Sequence, residues 1–160
     1  MVEPIYNKVY DFGLEFFCNA DGTIDFKGIS LFATRGGAYL GNILATEADK
    51  REMLSRYADL ALVDSVSEHI CNILSAHFKG VYEGAFGVDM MAVAREDGDG
   101  FMLHPCVELN LRRTMGHLAL ALTPTIAEPQ RIMSISYADK YRMRIHDTAK
   151  NLLNTSIVTP

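Results

Sequence analysis

His104-Pro105-Cys106-Val107-Glu108-Leu109-Asn110-Leu111-Arg112 is the stretch whose reading organises the rest of this chain. Read as a strand, its side chains alternate between two faces. His104, Cys106, Glu108, Asn110 and Arg112 then share one face, and Pro105, Val107, Leu109 and Leu111 share the other. An ordinary exposed strand face favours Thr, Lys and Ser, whereas here an acid, an amide and a guanidinium stand in a row. Glu108 and Asn110 supply hard oxygen donors of the kind magnesium prefers, and Arg112 matches phosphate or carboxylate oxygens bidentately. Upstream, Phe86 to Ala94 is dense in Val, Met and Phe, and Asp97-Gly98-Asp99-Gly100 is turn chemistry, so the two runs predict a β-hairpin. Across that turn Asp89 is a single acid among apolar residues, a setting in which an acid needs a partner or a metal.

The same signals recur on either side. Val9 to Phe17 and Thr23 to Thr34, separated by Asn19-Ala20-Asp21-Gly22, predict a first hairpin, and Arg35-Gly36-Gly37 permits a sharp reversal. Ala38 to Ala45 reads as irregular. Thr46 as N-cap, with Glu47 and Asp49 in the first turn, predicts a helix to about Tyr57. Leu60, Val63, Val66, Ile70, Ile73, Leu74 and Phe78 recur at helical steps, and Gly80 supplies a stop. Thr114 to Leu122 reads as a helix that ends before Pro124. Ile132 to Tyr137 and Tyr141 to Ile145 alternate as strands, and a short helix is expected near Thr148 to Leu153. The predicted class is α+β, a single domain over residues 1–160, with antiparallel hairpins packed against helices.

Composition removes several function classes. With 49% apolar and 22% charged residues in 160, the chain is an ordinary globular domain rather than a disordered one. A net charge of −5 gives no electrostatic footprint for nucleic acid or an anionic membrane. Cys18, Cys71 and Cys106 form no CxxC, which argues against a disulfide framework or zinc knuckle and fits a reducing compartment. Glu3 and Asp11 fall where a secretory leader needs an apolar core, and no run is long enough to span a bilayer, so a cytoplasmic location is expected.

Asp89 on one strand, followed by Glu108-x-Asn110-x-Arg112 on the next, resembles the metal-binding end of ATP-grasp enzymes. Val2-Glu3-Pro4 and Asp11-Phe12-Gly13-Leu14-Glu15-Phe16 look similar to the stretch that leads from the adenine-side hinge into that family's C-terminal lobe. The resemblance runs from Val2 to about Leu122 and is strongest to uncharacterised bacterial ATP-grasp proteins with Gly-Val-Asp-Met-Met, His-Pro-Cys-Val-Glu and Thr-Met-Gly-His segments. It implies ATP and Mg2+ as cofactors, with Asp89, Glu108 and Asn110 as metal ligands that also hold the nucleotide. Glu3 and Glu15 are implied near adenine and ribose, and Arg112 is implied as the catalytic residue on phosphate or an acyl-phosphate intermediate. The implied partners are ATP, a carboxylate substrate of unknown identity, a missing N-terminal lobe and a possible second copy. The implied parent activity is a carboxylate-amine ligase, with this chain alone inactive. One departure is Leu111, where many carboxylate-amine ligases of the family carry proline between the Asn and the Arg.

Other residues carry weaker readings. The opposing account of the whole chain is a non-catalytic interaction or dimerisation module with a relic metal face. His104 and Cys106 sit too close on one strand for the geometry of a nucleophile-base dyad, so packing is expected. His117, at a helix start, is expected to be structural. Arg35-Gly36-Gly37 lacks the lysine and the strand-to-helix setting of a phosphate loop. Lys140, Arg142, Arg144 and His146 are expected to form a solvated strand face.

Overall fold

The computed structural model describes residues 4–123 and 131–147. Its elements are β1 (Lys8–Cys18), β2 (Ile24–Arg35), β3 (Ala38–Leu44), α1 (Glu47–Leu54), α2 (Leu60–Phe78), β4 (Gly84–Ala94), β5 (Phe101–Asn110), α3 (Met115–Ala121), β6 (Arg131–Tyr137) and β7 (Tyr141–Asp147). The strands form one antiparallel sheet in the order β5-β4-β1-β2-β3-β6-β7. The architecture is α+β, as the sequence predicts.

Strand β1 sits inside the sheet and divides it into a greasy and a polar side. Phe12, Leu14, Phe16 and Cys18 are fully buried on one face, where Ile29 and Leu31 of β2 and Val88 and Met90 of β4 join them. The α2 residues Val63 and Phe78 and the α1 residue Leu54 cover this face. Phe16 stacks on Phe86 at 5.1 Å between ring centroids, and Phe78 meets Phe86 edge-on at 5.3 Å. Each such ring contributes about 1.5–3 kcal/mol through burial.

Local chemistry sets the helix positions. Thr46 caps α1 by accepting from the Asp49 N–H, and Asp59 caps α2 by accepting from Ala61. The β1–β2 register slips between Glu15 and Phe16, beside Gly28 with φ +141°. There α1 takes over from the ladder: the Ile29 N–H donates to the Glu47 carboxylate at 3.0 Å, and the Ile29 carbonyl accepts from Lys50 Nζ at 2.6 Å. Lys50 is 1% exposed and also pairs with Glu47 at 2.8 Å, so its buried charge is compensated.

Helix α3 lies on the opposite, polar side, where Ala119 packs with Leu44 and Met133. Gly116 lets it approach, because a Cβ there would overlap Glu15 Oε1 and stand 2.6 Å from Ser30 Oγ.

Ala38 to Ala45, expected to be irregular, is instead strand β3, paired to β2 and β6. Gly41-Asn42 interrupts its apolar pattern for two tertiary reasons. A Cβ at Gly41 would overlap the Met133 carbonyl, and buried Asn42 faces the polar side. Gly36 and Gly37 have φ of +56° and +79°, the pair of positive values a two-residue hairpin turn between β2 and β3 requires. The first helix stops at Leu54, one turn early. The helix expected near Thr148 to Leu153 lies outside the described residues.

Candidate functional site

The polar side of the sheet forms a cavity of about 330 Å³ lined mainly by hydrogen-bonding side chains, with Asp89, Glu108, Asn110 and Arg112 at one end. Strand register explains how they meet. Asp89 pairs with Gly13 on one side and Glu108 on the other, and Gly87 pairs with Glu15 and Asn110 two rungs away, on the same face. Glycines at 13 and 87 leave the floor open: a Cβ at Gly13 would stand 3.1 Å from Glu15 Oε1 and 3.3 Å from Asp89 Oδ1.

The side chains here form a chain of bonds. Asn110, 7% exposed, donates from Nδ2 to Asp89 Oδ2 at 3.1 Å, and its Oδ1 accepts from Arg112 Nη2 at 2.8 Å. Asp89 is raised from the ordinary carboxylate range to about 6, first by burial and then by the charges of Glu15, Glu108 and Asp11, with Arg112 opposing. An acid so placed is short of positive charge. Asp11 already has a cation: Lys8 Nζ lies 2.5 Å from Asp11 Oδ2, and Thr34 Oγ1 donates to the same oxygen at 2.8 Å.

The far wall comes from residues with no strong sequence signature. Asn42 donates to Ser30 Oγ at 2.7 Å and accepts from the Tyr39 hydroxyl. Burial, and then the Glu15 charge, push the Tyr39 hydroxyl upward. Thr114, Met115 and Gly116 of the α3 start close the cavity.

The donor set fits a hard divalent cation in kind. Among the described residues no group of three or more His, Cys, Asp or Glu side chains is arranged to hold a metal. Two carboxylates, Asp89 and Glu108, and the Asn110 amide are nonetheless oxygen donors gathered on successive same-face rungs. Such a set suits an ion that retains waters and phosphate oxygens among its ligands. Turning the Asn110 amide over would exchange the atoms now facing Asp89 and Arg112.

Of the residues singled out from sequence, Asp89, Glu108, Asn110, Arg112 and Glu15 line this cavity together. Glu15 is 1% exposed and held by the Thr114 hydroxyl at 2.7 Å and by His117 Nδ1 at 2.8 Å, so its carboxylate braces the wall. Glu3 lies outside the described residues. Cys106 breaks the expected alternation, whereas His104, paired with Met91 two residues from Asp89, keeps to the Glu108 face. The β4–β5 register slips so that Asp89 faces Glu108 but Met91 faces His104, placing extra β5 residues around Pro105, which cannot donate to a ladder. Cys106 consequently lines an apolar groove between α2 and β5 with Val88, Ile70 and Leu109, while the His104 ring lies 5.2 Å from Tyr6. Of the basic strip, Arg142 pairs with Asp139 at 3.3 Å, His146 Nε2 lies 3.0 Å from Ser134 Oγ, and Lys140 falls in the turn.

No protein-family profile and no curated protein matches the chain. Among solved structures it is similar to an ATP-grasp superfamily protein from Archaeoglobus fulgidus, at 14% identity and a TM-score of 0.45 over 89% of this chain. It is also similar to N5-carboxyaminoimidazole synthetase from Staphylococcus aureus, solved with ADP, at 14% identity and a TM-score of 0.47 over 83% of this chain. A third similar structure is the phosphoribosylaminoimidazole carboxylase ATPase subunit from Aquifex aeolicus, at 13% identity and a TM-score of 0.45 over 84% of this chain. The chain spans 46%, 36% and 42% of these three proteins in turn. Among the described residues no helix is long and apolar enough to cross a membrane.

Proposed function

We propose that the polar face of the sheet binds the magnesium-phosphate end of ATP, with Asp89, Glu108 and Asn110 holding the ion and Arg112 a phosphate oxygen. The observation that carries this reading is Asp89. Its carboxyl is held protonated up to about pH 6 by burial and three neighbouring acids, and it stands beside an amide and a guanidinium in one cavity. A divalent cation supplies the missing positive charge, and Arg112 adds a cationic fork beside it. The reaction class that fits, on the resemblance of the Asp89 and Glu108-x-Asn110-x-Arg112 pattern, is ATP-dependent activation of a carboxylate as an acyl phosphate and its transfer to an amine. In that chemistry magnesium offsets the charge on the transferring phosphoryl group. Arg112 orients the phosphate or the acyl phosphate, and Glu15 holds the cavity wall. This chain forms one lobe of the site, and a second lobe supplies the remaining grip on the nucleotide and the substrate.

A second reading, an interaction or dimerisation module, draws on edge strand β5, which exposes Val107 at 52% and Leu111 follows it at 49%. Calorimetry of ATP with and without magnesium, on this chain and on a version extended upstream, separates the two. Binding that needs magnesium and drops at least about tenfold in Asp89→Ala and Glu108→Ala supports the nucleotide site. Binding indifferent to both substitutions, or none by the folded extended protein, leaves the interaction module.

A further inference from the structure

His117 makes two contacts that a neutral imidazole cannot satisfy together. Its Nδ1 lies 2.8 Å from Glu15 Oε2, and its Nε2 lies 3.0 Å from the Phe16 carbonyl oxygen. Both neighbours are acceptors, and a neutral ring has one N–H, whereas the imidazolium has two. We propose that Glu15 and His117 form a proton-dependent latch that holds the first turn of α3 against β1, closed with the imidazolium and released when Nδ1 gives up its proton to water.

The surroundings make the release consequential. Without the proton, the Nδ1 lone pair faces a carboxylate oxygen at 2.8 Å and keeps as its donor only the Thr114 N–H that already reaches it at 3.3 Å in the capping box of α3. Thr114 Oγ1 still donates to Glu15 at 2.7 Å, but one hydroxyl does not offset a buried carboxylate. Glu15 has little room to withdraw: Gly13, Gly87 and Gly116 press around it so closely that a Cβ at Gly87 would stand 2.6 Å from Oε2. Strain therefore passes to the contact between α3 and β1.

The groups around the ring set the direction of the titration. Burial alone disfavours the charged ring, but it is outweighed by the hydrogen bond to Glu15, the Phe16 carbonyl and the Glu15 charge, with Arg113 opposing, so the pKa rises above 6.5. On β4, Asp89 feels the Glu15 charge, as does Tyr39 on β3, and β2 presents the Ser30 hydroxyl to this turn. A histidine raised on folding adds stability that is complete below its unfolded pKa and is lost as pH rises through its folded one. The latch is therefore closed at mildly acidic pH and opens on the alkaline side. The turn it secures carries Thr114, Met115 and Gly116, the cavity wall.

The test is an NMR titration of the His117 ring in the full chain, with hydrogen exchange of the amides from Thr114 to Leu118, between about pH 5 and pH 9. The wild-type ring is expected to titrate above 6.5, and Glu15→Gln to lower its proton affinity by about tenfold or more. After correction for intrinsic exchange, protection of the α3 amides should fall through the wild-type midpoint. In His117→Gln, which can donate but not titrate, it should show no such step. A wild-type ring titrating below 6.5, a midpoint unmoved in Glu15→Gln, or protection unchanged across the midpoint overturns the proposal. If Glu15→Gln does not fold, wild type against His117→Gln decides the matter.

Discussion

Asp89 concentrates the chemistry of this protein in one side chain, because its folded pKa of about 6 stands well above the 3.8 of an ordinary aspartate. A raised carboxyl means that the folded state holds the proton more tightly than the unfolded state, so between those values stability falls as pH rises. Asp89→Asn keeps an oxygen for the Asn110 amide and removes the charge. It should raise the stability at neutral pH by about 1–2 kcal/mol after allowance for solvent screening, with a higher melting temperature, and flatten the pH dependence in the mildly acidic range. Differential scanning calorimetry at several pH values reads both effects, and a variant no more stable than wild type at neutral pH would contradict them. The partnership of Asp89 with Glu108, Asn110 and Arg112 was legible from one alternating strand and the acid across its hairpin. Cys106 was misplaced by the same rule, because the register slip beside Pro105 breaks a period of two that sequence reading has to assume.

At the scale of elements, the hairpins and the long helix were readable because turn residues and apolar periodicity are local signals. Strand β3 was not, since Gly41 and Asn42 answer to β6 and to Ser30 rather than to their chain neighbours. The far wall of the cavity was hidden for the same reason: Ser30, Thr34, Tyr39 and Thr114 are common residue types whose meeting depends on the sheet order. Another tertiary device absent from any motif is the clamp of Glu47 and Lys50 on Ile29. Lys50→Met fills the same space but leaves the Ile29 carbonyl without its donor and the Glu47 carboxylate without its cation. The expected loss is about 2–3 kcal/mol in urea unfolding. A change under about 0.5 kcal/mol would show that the clamp is replaceable by water.

For the whole molecule, the sheet order divides the sheet unequally. The hydrophobic core gathers β1, β2 and β4 under α1 and α2, whereas among the described residues β6 and β7 join the rest through β3 and two small clusters around Ile132 and Met133. Gly41→Ala, whose methyl group would overlap the Met133 carbonyl, should therefore detach that pair while sparing the core. Hydrogen exchange should show lost protection in β6 and β7 with β1, β2 and β4 retained, and uniform loss across the sheet would refute this division. At the opposite margin, β5 has a neighbour on one side among the described residues, yet it carries Glu108 and Asn110 while β4 carries Asp89. Anything that grips all three residues stitches the hem of the sheet to its cloth, so the strand most prone to fray is the one that occupancy would quieten.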